Sequence, residues 1–597
     1  MDVFSRLPPE MLDMVLKNLM ARDLASMSLV CKSIRSMVTR RLWKFLAIRT
    51  KDPSYKYYIP DPAYPSEALE HVLHLHFRSD WEQFLKNNIE NNRCIHEQRR
   101  RNIMTGADIE DVDPPDSLDH GSTTEDEECG KLITGIHSDW RFKFLGQRAK
   151  EILATIESGQ LQSFAWDFGV CVPDDLLGTD GEITKNQRSI RSLSLITDCY
   201  CQCLGDESSK VNFTKFENLR GLRWKAPRVN DLASIFEAIR ANAGRLESLE
   251  LDFVSWRYME GILCLYLGKR DSLDMELEKY FTAHLTSAIP DSGSRFQSLR
   301  NLSLSHIPLT AAAGEVFNFD TLRSITLRDC PGWSAFLHVG LKPGDLLHLT
   351  TLEVKQIEMD WASGLVGWRA DLGDILGRIK GLEELFVCFP RDHPDVDIWS
   401  GIARHKATLR RLSVHSRIGS EREGFFDDMY LGILDHEYCD LDQNPQSPAH
   451  PLAGLALECL GLSCSPDYFK ILLSPLLSSP IQVIHIRQSL STYHAHSLWP
   501  VHRTDSNRPL SDDLRLFANW AFGPEGLKSL KVIFFGDASF GATVQDQVVI
   551  LQRDETMPHA YRAIRDYKGR SALRSHEFLR RFCDFLEACP SKAFFEA

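Results

Sequence analysis

One six-residue pattern constrains this chain more than any other feature. Leu-x-x-Leu-x-Leu, with Ile, Val, Phe or Trp admitted, recurs twelve times. The copies begin with Leu161-Phe164-Trp166, Ile190-Leu193-Leu195, Leu219-Leu222-Trp224 and Leu246-Leu249-Leu251. Next come Leu299-Leu302-Leu304, Leu322-Ile325-Leu327, Leu349-Leu352-Val354 and Leu382-Leu385-Val387. The last are Leu409-Leu412-Val414, Leu457-Leu460-Leu462, Ile481-Ile484-Ile486 and Leu527-Leu530-Val532. Starting positions lie 23 to 33 residues apart except at three gaps of 46 to 53, near twice the others. Each long gap is expected to hide an insertion or a degenerate repeat. One copy means little, because Leu is common; twelve in near-regular phase specify a repeating unit. The second and third apolar positions are two apart, so on a strand both face one side, and the first reaches the core from the approach. Helical patterns fill the intervals, as in Leu232, Ile235, Phe236 and Ile239, ending at Asn242-Ala-Gly244, where Gly suits a helix C-terminus.

The predicted class is therefore α/β, with one strand and one helix per ~27 residues. That unit resembles the leucine-rich repeat, which stacks into a solenoid, a horseshoe with a parallel sheet on its concave face. The Asn or Cys that family places three residues past the last Leu is present as Cys330; Asp198, Pro227, Val254 and Ile307 stand at other copies. A set of unrelated α/β domains would not repeat one strand motif a dozen times.

The N-terminus is different. Residues 7–46 read as three short amphipathic helices. Pro8-Pro9 and Glu10 suit a helix start, and the first stripe is Met11, Leu12, Val15, Leu16 and Leu19. Asp23 is expected to cap a second helix with Leu24, Met27 and Val30-Cys31. The third carries Ile34, Val38, Leu42 and Leu46, with Trp43 beside the stripe. A core this small usually needs a partner to complete it. Leu7-Pro8-x-Glu10-x-Leu12, Val15-Leu16-x-x-Leu19, Asp23-Leu24, Val30-Cys31 and Leu42-Trp43 resemble the F-box in order and spacing. With repeats after it, the chain resembles the substrate receptors of SCF-type (Skp–cullin–F-box) ubiquitin ligases, particularly divergent versions from filamentous fungi. The stretch from Phe517 through Leu530 to Phe535-Gly-Asp537 is similar to that fungal group. The resemblance implies an adaptor-binding surface drawn from Leu7, Pro8, Val15, Leu16, Leu19, Leu24, Val30, Cys31 and Trp43. Which of these touch the adaptor and which pack internally is open at this point.

Charge refines the plan. The chain has a net −13, and ten acids without a single Lys or Arg lie between Met104 and Gly130. Such a segment cannot bury enough apolar surface to offset its ordering entropy, so 104–130 reads as an acidic disordered linker. Ser122, Thr123 and Thr124 precede Glu125-Asp-Glu-Glu128, so a phosphorylated docking strip is the other reading. The expected domains are 1–48, F-box; 49–103, helical linker with a pattern from Leu69 to Leu85; 104–130, acidic; 131–536, repeats; and 537–597, C-terminal cap or tail. An acidic total argues against a nucleic-acid partner, and the absence of 18 consecutive apolar residues argues against a membrane span. Pro8-Pro9 lies where a signal peptide would be apolar, and fifteen scattered cysteines include no CxxC pair, so a cytoplasmic or nuclear chain is expected.

No G-x-S-x-G, H-E-x-x-H or phosphate-cradling glycine loop occurs in a usable context, so neither an enzyme nor a cofactor is expected. Cys199-x-Cys201-x-Cys203 lacks a fourth ligand at metal spacing. His71, His74 and His76, and His485, His494 and His496, are spaced at random for zinc. The implied function is substrate recognition: the F-box binds a Skp-type adaptor and through it a cullin, and the repeats hold an unidentified protein target. A scaffold or sequestering role outside a ligase is the alternative. Target contacts are expected from side chains that alternate with the buried strand positions: Arg223, Lys225, Glu250, Asp252, Arg328, Phe386, Arg411, His415 and Arg487, with Phe386 as the exposed aromatic.

Overall fold

Strands lie at the hexamers, and within each of the chain's two units each runs parallel to the next. The computed structural model describes residues 7–19, 21–49, 66–78, 144–199, 211–254, 276–287, 296–340, 347–356, 368–390, 398–417, 450–487, 510, 512–536, 548–557, 559–564, 573, 576 and 578–590. The chain divides into two units, Met1–Leu246 and Glu247–Ala597.

The first unit begins with three helices, α1 (Pro9–Lys17), α2 (Ala21–Ser28) and α3 (Lys32–Leu42). Five parallel strands follow: β1 (Phe45–Arg49), β2 (His74–Arg78), β3 (Ser163–Asp167), β4 (Ser192–Ile196) and β5 (Gly221–Lys225). Phe164 stands opposite Leu193 and Leu193 opposite Leu222, with Trp166, Leu195 and Trp224 two residues further along. All six are buried. Because the side-chain period of a strand is two, this register puts every repeat residue on one face. Side-chain amides join strand approaches to helix ends. In the helix Leu232–Asn242, Asn242 accepts the Leu219 amide (3.1 Å) and donates to the Phe216 carbonyl (2.9 Å).

The second unit contains nine further parallel strands. They are β6 (Ser248–Asp252), β7 (Asn301–Ser305), β8 (Ser324–Arg328), β9 (Thr351–Lys355), β10 (Glu384–Pro390), β11 (Arg411–Arg417), β12 (Cys459–Leu462), β13 (Val483–Ile486) and β14 (Val532–Phe535). Antiparallel β15 (Val549–Arg553) and β16 (Tyr561–Ile564) complete it.

The three long gaps are insertions. β6 pairs directly with β7, β11 with β12, and β13 with β14, leaving no slot for a degenerate strand. Two sequence expectations need correction. In β14, Ile533 and Phe535 stand opposite Ile484 and Ile486, so the last copy is Leu530-Ile533-Phe535, three residues later than expected. Val532 pairs with Val483 and faces the opposite side. The helical pattern expected from Leu69 to Leu85 fails over residues 74–78. Among the described residues helix there covers only Ser66–Leu69, and Leu75 and Phe77 lie on β2 opposite Phe164 and Trp166. Trp81, Phe84 and Leu85 lie outside the described residues. Val72-Leu75-Phe77 is thus an additional copy, and Leu46 and Ile48 on β1 continue the ladder. Leu46 therefore belongs to a strand and not to the third helix. The acidic segment 104–130 lies outside the described residues.

Charged groups are buried at the strand ends of the second unit. Asp252 Oδ1 lies 3.0 Å from His306 Nδ1, and Asp329 Oδ2 lies 3.7 Å from His306 Nε2 and 2.6 Å from Lys355 Nζ. Burial opposes a charge on His306, but the hydrogen bond and charge of Asp252 and the charge of Asp329 outweigh it, with Lys355 opposing, and raise its pKa above 6.5. A raised folded pKa contributes stability that is full below the unfolded value of 6.5 and is lost as pH rises through the folded one. The denaturation midpoint of the chain is therefore expected to carry a component that is lost as pH rises above 6.5. His306→Gln should remove that component; an unchanged pH slope in the variant would contradict the assignment.

Candidate functional site

The three N-terminal helices bury one side of their apolar residues and leave another uncovered. Pro9 opens α1 with Glu10 in its first turn, where neither the missing N–H nor the acid costs stability. α2 begins at Ala21, so Asp23 sits in its first turn and is not its cap. Cys31 caps α3, its Sγ accepting the Ile34 amide (3.5 Å), and α3 ends at Trp43. Leu12, Leu16, Leu24, Ile34 and Val38 form the core, with Leu7, Leu19, Met27, Cys31, Met37 and Leu42 packed partly against it.

Helical spacing accounts for what remains outside. Met11, Met14 and Val15 occupy i, i+3 and i+4 on α1 and are all exposed. Leu29 and Val30, in the α2–α3 turn, are 77% and 69% exposed. Their backbone is fixed: the Leu29 and Val30 amides donate to Ser26 and Met27 carbonyls, and Arg35 Nε donates to the Ser28 carbonyl (3.0 Å). Of ten large apolar side chains exposed among the described residues, five fall within these twenty positions. Such a concentration marks an interaction surface more than scattered exposure does. The surroundings are basic, with eight Lys or Arg against three acids over residues 7–49 of a chain whose total is −13.

The structure thereby sorts the residues that the F-box resemblance implies. Val15, Val30 and Pro8 are exposed; Leu16 and Leu24 are core; Leu7, Leu19, Cys31 and Trp43 are half-buried. Met11, Met14 and Leu29 were missed: Met11 stands on the stripe that the sequence marks as internal, and Met14 and Leu29 lie off it.

The strand residues expected to contact a target divide similarly. Arg223, Glu250, Arg328 and Arg411 are half-buried. Lys225, Asp252, Phe386, His415 and Arg487 are buried, so the exposed aromatic expected at Phe386 is corrected. Asp252 is engaged with His306 and with the Val254 amide (2.9 Å). His415 lies between Ser413 Oγ (2.5 Å) and Ser463 Oγ (3.1 Å), both themselves buried. Phe386 packs against Phe585, their centroids 6.2 Å apart. Arg411 pairs with Glu384 (2.9 Å) and lies over the Phe582 ring (5.6 Å). Arg328 forks onto Glu353 at 2.7 and 2.9 Å.

Among the described residues no group of three His, Cys, Asp or Glu is placed to hold a metal. Cys199 is buried, and Cys201 and Cys203 lie outside the described residues. His74 and His76 are engaged with Ser163 (2.8 Å) and Asp167 (2.6 Å), and His485 with the Gly536 carbonyl (2.8 Å). The arrangement offers a surface for association.

Residues 4–49 match the F-box-like family. No curated protein matches the chain. The chain thus carries an F-box-like domain at the segment bearing the exposed apolar face, and such a domain implies binding of a Skp-type adaptor.

Core and surface positions should respond differently to mutation. Leu16→Ala is expected to destabilise the module by about 2–5 kcal/mol, and Val30→Ser to change it by less than about 0.5 kcal/mol. Hydrogen exchange over residues 7–49 reads both. Equal loss of protection in the two variants would contradict the division.

Proposed function

We propose that this chain is the substrate-recognition subunit of an SCF-type ubiquitin ligase. The exposed apolar face of α1 and of the α2–α3 turn docks the Skp-type adaptor, which links it to a cullin. The in-register parallel strands form a leucine-rich-repeat solenoid that holds a protein target. The observation that carries the reading is the coincidence of the F-box-like match at 4–49 with five uncovered apolar side chains. Burying an apolar side chain of that size contributes about 1.5–3 kcal/mol, enough for a few of them to dominate a small interface. The surplus of Lys and Arg around them favours an acidic adaptor surface and speeds encounter.

In this reading the chain supplies no reacting group. It raises the effective concentration of a target lysine near the ubiquitin-charged enzyme, an entropic contribution to the rate. The assembly operates in the cytoplasm or nucleus. The partners are proteins throughout; neither a nucleic acid, a membrane nor a cofactor enters. Support for the repeat assignment comes from the register, since Leu385, Leu412, Leu460, Ile484 and Ile533 stand opposite one another along consecutive strands.

The test is reconstitution of the full chain with a Skp-type adaptor and its cullin. Met11→Asp and Val30→Asp should each weaken adaptor capture at least tenfold, since either buries a charge in an apolar contact. Proteins that co-purify with the wild type should acquire ubiquitin only when adaptor and cullin are both present. Full capture by both variants would overturn the docking surface. Adaptor capture without ubiquitin on any bound protein would make the chain a scaffold instead.

A further inference from the structure

The strand face opposite the repeat leucines changes character along the second unit. From β6 to β8 it presents Ser248, Asn301, Ser303, Ser324 and Thr326, all exposed or half-exposed. From β9 to β14 the mid-strand positions, Glu353, Phe386, Ser413, Gly461, His485 and Phe534, are buried, while Thr351, Glu384 and Arg411 at the strand starts stay half-exposed. The chain's own residues 578–590, two short helical turns at Leu579–Phe582 and Cys583–Leu586, pack on this face together with Val548, Ile550 and Leu573.

The contacts resemble those of a bound peptide. Leu579, Phe582, Leu586 and Cys589 recur every three or four residues and, with Phe585, join the apolar cluster of this face. The Phe585 ring lies 6.2 Å from that of Phe386 and 6.1 Å from that of His485. Gly461 makes room for it, since a Cβ there would come within 3.3 Å of Phe585 Cζ and 3.1 Å of Ser413 Oγ. Both polar anchors hold main chain. Arg487 donates to the carbonyls of Cys589 (2.6 Å), Leu586 (3.4 Å) and Ala588, and Glu353 Oε1 accepts the Cys589 amide (2.7 Å). An arginine that reads the carbonyls ending a helical turn does not depend on which side chains that turn carries. Charges also cost more to bury than apolar groups of equal volume. The face mixes buried polar groups, Glu353, His415, His485 and Arg487, with apolar Phe386, Cys459, Val483 and Phe534.

We propose that the face of β9–β14 is a peptide-binding groove, filled in cis by residues 578–590. Its external partner is a protein segment of the same chemistry: a helical turn with aromatics three residues apart, then Leu, then exposed terminal carbonyls. The proposal rests on the reading that this face holds a protein target. Its test requires neither adaptor nor ubiquitin and so fails or stands separately.

A protease site placed between residues 566 and 571 of the full chain allows the C-terminal segment to be cut after purification. The cut chain should keep its cooperative melting and bind a fluorescent peptide of residues 578–590 saturably. The uncut chain should bind it at least tenfold more weakly, because the cis segment competes. Phe585→Ala in the peptide, or Arg487→Gln in the chain, should weaken binding at least tenfold. The peptide variant keeps the result readable if Arg487→Gln does not fold. Loss of cooperative melting on cutting, or no binding by the cut chain, would show the segment to be permanent core and overturn the proposal. Equal affinity for the Phe585→Ala peptide would also overturn it.

Discussion

The alternation of side chains along a strand, held in register from one repeat to the next, is the constraint on which the rest depends. Within each unit it commits one strand face to the core, where Leu222 and Trp224, or Leu412 and Val414, are buried without exception. The other face is then free for chemistry. A slip of one residue would exchange the two sets, so the apolar ladder that stabilises the fold also decides which residues stand on the other face.

The second face is not uniform, and energetics separates its parts. Where side chains are small and hydroxyl-bearing, as at Ser303 and Thr326, solvation satisfies them and nothing needs to cover them. Where they are large, as at Phe386 and Phe534, leaving them in water would cost about 1.5–3 kcal/mol each, and residues 578–590 cover them. The N-terminal module shows the opposite balance. Its core of five buried residues is small, and it leaves Met11, Met14, Val15, Leu29 and Val30 uncovered. A small domain that exposes this much apolar surface is completed by association.

Much of this is legible in the sequence, and the failures have physical causes. The hexamers mark strands because a two-residue alternation repeated at near-constant spacing suits a stack of strands and suits a helix poorly. The last copy is misplaced because Leu527-Leu530-Val532 and Leu530-Ile533-Phe535 both satisfy the template, and only pairing with Ile484 and Ile486 chooses between them. β2 passes for helix because Leu69, Val72 and Leu73 precede Leu75 and Phe77 at spacing that also fits a helical stripe. The F-box pattern locates the module but cannot sort it, since a stripe of apolar residues on a short helix does not say which edge faces inward. Burial of Phe386, His415 and Arg487 is illegible because it arises from contacts distant along the chain, such as that of Arg487 with Ala588.

The account places association with the adaptor on one small surface and leaves the strands to other partners. Hydrogen exchange of the full chain, with and without a Skp-type adaptor, tests that division most directly. Protection gained over α1 and the α2–α3 turn, with β3 to β14 unchanged, is the result the account predicts. Protection gained on the strands while residues 7–49 exchange as in the free chain would contradict it.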